Sequence, residues 1–152
     1  MIRRAVAADA GAIVAIEQTS FDDPWSAAAV EQELSERSRL VVVDGRLRGW
    51  ATVMVVGSTA DLLRIAVRPE HRRVGLGAAL LDAAVAAAVT AAATEMLLEV
   101  QHDNRPATAL YATAGFEEIA RRADYYGPRR HAVVMRRPLG QDPPPDGARL
   151  LP

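Results

Sequence analysis

The apolar positions of the 152-residue chain change their spacing several times, and each change marks an element. The β-branched runs Leu40 to Val43 and Leu47 to Val56, separated by Asp44-Gly45, predict the two strands of a hairpin. Ile2 to Val6 predicts a short strand before them, and Leu62 to Val67, closed by Pro69, one after them. Ile13 and Ile16 behind Asp9 predict a helix capped by Asp9, and Val30 and Leu34, spaced i, i+4 behind Ser26, a second helix capped by that serine. From Gly75 to Ala93 the chain is mostly alanine, interrupted by Asp82 and Thr90. That is weakly hydrophobic for a membrane span and predicts a buried helix. The strand Met96 to Gln101, the helix Pro106 to Ala114 and two strands near Phe116 to Ala120 and Ala132 to Arg136 complete the series. Strands first, then strand–helix alternation, then a hairpin predict a single-domain α/β fold: one mixed, mostly antiparallel sheet with helices on both faces.

Composition changes once, near Pro138. The last fifteen residues hold five of the nine prolines, so a disordered Pro-rich tail, 138–152, is expected behind a domain of residues 1–137. Nineteen acidic and eighteen basic groups nearly cancel, which argues against a polyanion-coating protein, and no direct nucleic-acid partner is expected. The three arginine pairs 121–122, 129–130 and 136–137 read by default as a solvated face. No Cys is present, which excludes disulfides, a thiol nucleophile and thiolate zinc sites. Every basic side chain is arginine, and without lysine neither a Schiff base nor a Walker A loop is possible. His71, His102 and His131 form no i, i+4 pair, so no metal is expected. Asp9 and Glu17 interrupt the only apolar stretch near the N-terminus, so a cytoplasmic protein is expected, with no membrane partner.

The segment Leu63 to Ala78 runs from a strand through a basic turn into a helix. Gly75 and Gly77 leave the helix start bare, so its unpaired N–H groups and positive dipole end face outward, a site suited to phosphate. Arg72 and Arg73 add charged donors beside it. An ordinary tight turn into a helix is the competing reading. The dinucleotide fingerprint GxGxxG fails because Leu80 stands at its sixth position. The remaining pattern, Arg72-x-x-Gly75-x-Gly77 after a strand, resembles the pyrophosphate loop of the GNAT superfamily of acyl-CoA-dependent N-acetyltransferases.

A second segment extends the resemblance. Leu98-Glu99-Val100, then Asn104, then Leu110-Tyr111, then Gly115-Phe116 is similar to that superfamily's signature. With Asp23-Pro24-Trp25-Ser26 and the pair Tyr125-Tyr126, it resembles the bacterial RimI group of ribosomal-protein alanine N-acetyltransferases over nearly all of residues 1–137. The resemblance implies acetyl-CoA as co-substrate and a protein N-terminus, of a ribosomal protein beginning with Ala, as acceptor. It implies Glu99 as general base and Tyr111 as general acid. The backbone of Ile65, Ala66 and Val67 is implied as the edge that pairs with the pantetheine arm, and Asn104 as a polar contact to that arm. Residues Arg72, Arg73, Val74, Gly75, Leu76, Gly77 and Ala78 are implied as the pyrophosphate loop. Trp25, Tyr125 and Tyr126 are implied as a peptide slot. The chain departs from the group in reading His131-Ala132-Val133-Val134-Met135 where the group places Asp before the alanine, which bears on how the target peptide is held.

The residues alone leave other readings open. Glu99 also fits a solvated carboxylate at a strand end, Tyr111 and Trp25 packing aromatics, and Asn104 a helix cap ahead of Pro106. An acetyltransferase of small amines, or an idle acyl-CoA-binding module, are the alternatives in function. Keeping both Glu99 and Tyr111 argues against the idle module. An α-amino group with a pKa near 7.7–8.0 loses its proton at pH 7 for only ~1–1.4 kcal/mol, against about 4.6 for a lysine. One carboxylate is then enough of a base.

Overall fold

The computed structural model describes residues 1–140. Seven strands form one sheet: β1 (Ile2–Arg4), β2 (Arg39–Asp44), β3 (Gly49–Val56), β4 (Thr59–Val67), β5 (Glu95–Gln101), β6 (Glu117–Arg122) and β7 (Ala132–Pro138), in the order β1-β2-β3-β4-β5-β7-β6. Only β4 and β5 are parallel neighbours. Helices α1 (Ala10–Ser20) and α2 (Ala27–Ser35) cover one face of β2–β4, burying Ile13, Ile16 and Val30 against Val41, Val43 and Trp50. Helices α3 (Leu76–Thr90) and α4 (Arg105–Thr113) lie on the opposite face, where Leu81, Ala84, Ala88 and Tyr111 pack on Val53, Leu62, Met96 and Val133. The expected fold class therefore holds. Among the described residues no helix is long and apolar enough to cross a membrane.

The alanine run of α3 lets the helix sit low on the sheet. A Cβ at Gly49 would stand 2.8 Å from both Ala66 O and Leu80 Cδ1, so only glycine fits where α3 presses on β3. Ser26 caps α2 as expected, its hydroxyl accepting from Ala29 N at 3.1 Å. Asp9 does not cap α1. Its carboxylate accepts Val6 N at 2.8 Å and the fork of Arg3 at 2.8 and 2.9 Å, closing a 3-10 turn, Ala7–Asp9, that precedes the helix. The guanidinium holds the Asp9 carboxyl at about 2.

Several boundaries shift by a residue or two, among them β1, which ends at Arg4, and β3, which begins at Gly49; two differences matter more. β4 begins at Thr59, because Gly57, with φ +61°, lets β3 turn directly into it. The body also runs past Arg137: β7 continues to Pro138, Leu139 is 4% exposed in the core under α3, and its N–H donates to Thr94 O at 2.9 Å. Residues 141–152, the greater part of the expected tail, lie outside the described residues.

What opens the sheet is β4. Its pairing with β5 covers only Thr59–Glu95, Ala60–Met96 and Asp61–Leu97. Against β3, Thr52 pairs with Arg64 but Val53 with Leu62, so Leu63 is an extra residue, a β-bulge. A bulge bends its strand and re-aims the side chains beyond it. Here Arg64 turns to the α1 face and meets Glu17, which is 0% exposed. Glu17 accepts from Arg64 Nη2 at 2.8 Å and Nε at 3.0 Å, from Trp50 Nε1 at 3.1 Å and from Trp25 N at 3.0 Å. One carboxylate thereby ties together α1, β3, bent β4 and the loop into α2.

Two stability experiments follow. Glu17→Ala is expected to lower unfolding free energy by about 3 kcal/mol in chemical denaturation, the low end for a broken buried pair because Arg64 keeps some solvent contact. Leu139→Ala is expected to cost about 2–4 kcal/mol, and a chain ending at Arg137 at least as much, whereas one ending at Gly140 keeps the leucine in place.

Candidate active site

Beyond Asp61 the splayed strands leave a groove of about 850 Å³, walled by β4 on one side and by β5 and α4 on the other. Its floor and walls gather many of the residues singled out from the sequence: Ile65, Ala66, Val67, Arg72, Arg73, Gly77, Glu99, Asn104, Tyr111 and Tyr126. The β4 wall is polar through its backbone. Arg68 N donates to Arg48 O at 2.8 Å, and antiparallel alternation then gives the pair Trp50–Ala66 to the β3 ladder and turns the N–H and C=O of Ile65 and Val67 toward the groove. Ala66 differs from its two neighbours in this respect, because its polar backbone belongs to the sheet. Val67 O accepts from Arg72 Nε at 3.0 Å and, at 3.4 Å, from Ser20 Oγ.

The basic turn closes one end. Gly75 caps α3 in the left-handed region with φ +83°, and Arg73 just before it shares that region at +65°. The first N–H groups of α3, at Leu76, Gly77 and Ala78, precede the first intrahelical donor, Ala79, and have no partner within the helix. Gly77 lines the groove opposite Leu110, and a Cβ there would lie 3.6 Å from Leu110 Cδ2. Val74, Gly75 and Leu76, expected from the sequence in the same loop, do not line the groove: they border a separate shallow depression with Met1, Ile2, Asp44 and Arg48, and Leu76 is buried. Ala78 borders neither hollow. A row of outward backbone donors ending at two arginines and a bare helix start suits a long ligand carrying amides and phosphate.

The opposite wall carries the titratable groups. Glu99 stands on β5 with its side chain 29% exposed, and Arg122 Nη1 approaches its Oε1 to 3.3 Å. Tyr111, projecting from α4, is 7% exposed, and its phenol is pushed up to about 12 by burial, with neighbouring Tyr126 adding to it. It meets Phe116 edge-on at 6.0 Å. Burial, then Glu99, then Tyr125 raise Tyr126. Burial, then Glu95 and Glu99, raise Asp61 above the usual carboxylate range. Asn104 caps α4, its side-chain oxygen accepting from Ala107 N at 3.3 Å, so the cap reading holds while its amide group still lines the groove.

The aromatic trio does not converge. Tyr126 lines the groove, but Tyr125 is exposed beside it, edge-on at 5.1 Å. Trp25 packs edge-on against Trp50 at 5.6 Å, with the Arg64 guanidinium 5.2 Å from its ring, and sits behind the rim. Phe21, which the sequence reading passed over, lines the groove and carries the Arg64 guanidinium at 3.7 Å. Glu17, which the sequence offers only as a break in an apolar stretch, and Arg122, which it offers as part of a solvated face, meet Arg64 and Glu99 instead. Glu17 left one signal, a carboxylate beside Ile16 and four residues after Ile13, on the stripe that must face the sheet.

Comparisons with known proteins agree with this geometry. The family model described as the acetyltransferase (GNAT) family matches residues 11–116. The chain is 33% identical over 129 residues to the [ribosomal protein bS18]-alanine N-acetyltransferase of Escherichia coli, covering 82% of this chain and 87% of that one. It is 34% identical over 115 residues to a putative [ribosomal protein bS18]-alanine N-acetyltransferase of Bacillus subtilis, covering 73% of this chain and 76% of that one. The crystal structure of the ribosomal-protein-S18-alanine N-acetyltransferase from Escherichia coli superposes with a TM-score of 0.83 at 31% identity, covering 91% of this chain and 93% of that one. With the family model spanning most of the chain and the same fold in a relative above 30% identity, this protein belongs to the GNAT family of acetyltransferases.

Proposed function

We propose that this protein transfers an acetyl group from acetyl-CoA to the N-terminal amine of a protein, a ribosomal protein beginning with alanine, by direct attack while both substrates are bound. The observation that carries this reading is that Glu99 and Tyr111 line one groove, opposite the outward N–H groups of Ile65 and Val67. Similarity to the alanine N-acetyltransferases supports the choice of acceptor.

The residues present fit the co-substrate. Ile65 and Val67 offer backbone donors and acceptors to the amides of its arm, Asn104 its free amide N–H groups, and Arg72, Arg73 and the start of α3 their donors to its pyrophosphate. When bound, acetyl-CoA supplies an acyl thioester. Glu99 takes the proton from the incoming amine, directly or through one water, which a weakly basic α-amine makes feasible at pH 7. The N–H groups of the β4 wall are the donors available to the carbonyl oxygen as it gains charge. Tyr111, in the same groove, would be the donor to the departing sulfur. With its phenol near 12 and a thiol near 8.5, full proton transfer runs uphill by roughly 5 kcal/mol. Tyr111 therefore acts first as a hydrogen-bond donor to the sulfur and yields its proton late. No Cys exists to carry an acyl group, which supports direct attack of the amine on the thioester carbonyl, with the C–S bond breaking afterwards and the sulfur leaving as the CoA thiol.

The testing experiment is CoA-thiol release with a panel of acceptors: an Ala-first peptide, the same peptide blocked at its N-terminus but carrying a lysine, and polyamines. Release with the first alone, and intersecting initial-velocity lines, are expected. Release with polyamines alone would make this an enzyme of small amines, and release with none an acyl-CoA-binding module.

Variants separate the roles. Glu99→Gln should lose kcat mainly at neutral pH and recover as pH passes about 8, where the amine is already neutral. Tyr111→Phe should lose roughly 10²- to 10³-fold at every pH. With its phenol raised to about 12, Tyr111 stays protonated across the working range, so the wild-type profile should show no alkaline fall from it below pH ~11. Gly77→Val, whose branches enter the groove, should abolish acetyl-CoA binding in calorimetry without unfolding the chain. It is a cleaner probe than Gly75→Val, which would strain a left-handed residue as well.

A further inference from the structure

Glu99 is not alone on its face of the sheet. Glu99 and Gln101 lie two apart on β5 and share that face, and the register continues it across two strands: Gln101 pairs with Ala132, and Ala132 with Arg122. Directly between Arg122 and Gln101 of β5 stands the small side chain of Ala132. Over this low point Arg122 reaches diagonally to Glu99, Nη1 to Oε1 3.3 Å. At the other end of the same loop, 123–131, Arg130 Nη2 donates to Gln101 Oε1 at 3.1 Å. The loop is thus held to β5 by an arginine at each end, and only the first touches the carboxylate in the groove. Between them, Tyr125 lies 5.2 Å from the Arg122 guanidinium and edge-on to Tyr126, whose phenol lines the groove near Glu99.

We propose that Arg122 is a positioning residue for acetyl transfer: it holds Oε1 of Glu99, so that Oε2 is presented to the amine, and it couples that hold to the seating of the Tyr125-Tyr126 loop. The inference rests on Glu99 acting as the base. A glutamate at a strand end samples several rotamers, and a charge-assisted contact to one oxygen selects among them. The pair is open to solvent, 55% and 29% exposed, and such pairs add little to folding stability. Removing the arginine should therefore appear in turnover and leave the melting temperature nearly unchanged.

The test is a double-mutant cycle on the full chain with a saturating Ala-first peptide and acetyl-CoA varied. Arg122→Ala is expected to lower kcat by about fivefold with KM for acetyl-CoA unchanged, and Arg122→Lys, which keeps the charge, to recover part of it. In the Glu99→Gln background, Arg122→Ala should cost nothing more, because there is no carboxylate left to hold. Arg130→Gln serves as the comparison: whatever it costs through the loop, its loss should multiply with that of Glu99→Gln. Equal losses from Arg122→Ala in both backgrounds, or wild-type kcat in Arg122→Ala beside an impaired Glu99→Gln, would overturn the positioning role alone. Full activity in Glu99→Gln would remove the base assignment and the positioning role with it.

Discussion

The groove exists because β4 leaves β5, and a buried carboxylate keeps it from returning. Parallel strands with free edges gain hydrogen bonds by pairing along their whole length, so a strand that parts after three residues must be held away. The bulge at Leu63 bends β4, and Glu17 fixes where the bent half goes, receiving Arg64, the Trp50 indole and the Trp25 backbone on its two oxygens. The energetic stakes of such a contact are asymmetric: little net gain from the pair itself, a large cost if either member is lost. That asymmetry makes it a fixer of geometry. The same contact sets Phe21 under Arg64 on the groove's rim, so the shape of the acceptor side and the freedom of the β4 backbone depend on one ion pair.

Arginine serves this protein throughout. Asp9, Glu17, Glu33 and Asp44 are buried carboxylates, and Arg3, Arg64, Arg39 and Arg48 meet them in turn. A planar fork satisfies two acceptor sites at once, which an ammonium does not do as well. The arginine pairs near the last hairpin are used similarly: Arg121 binds Glu118, Arg122 binds Glu99 and Arg136 binds Glu95. What composition suggests as a solvated face is in part a pair of struts to β5, from β6 through Arg122 and from β7 through Arg136. Arg72 and Arg73 line the groove end where phosphate chemistry is expected, Arg72 also donating its Nε to Val67 O.

The elements were legible wherever one period dominated. The β-branched hairpin, the i, i+4 stripe of α2 behind Ser26 and the alanine helix each follow from local pattern. Thr59, Ala60 and Asp61 escaped because a polar, small, acidic triplet carries no strand signal; it extends only because β3 and β5 flank it. Leu139 escaped because a single leucine between Pro138 and Gly140 resembles tail composition, and only the site under α3 reveals its burial. Asp9 sits where a cap would sit, but Arg3 and the Val6 N–H compete for its carboxylate and win. Of the residues that line the groove, Glu99, Tyr111 and Gly77 were visible through motif order. The Arg122 contact was not, since it depends on β7 lying between β5 and β6, a fact of topology and not of spacing.

The outward backbone of β4 is the edge on which acetyl-CoA binding depends in the proposed function, and amide hydrogen exchange reads it directly. With acetyl-CoA added, the N–H groups of Ile65 and Val67 should exchange more slowly, while Ala66, already paired with Trp50, should change little. Saturating binding of acetyl-CoA with no added protection at residues 65 and 67 would contradict the groove as its site.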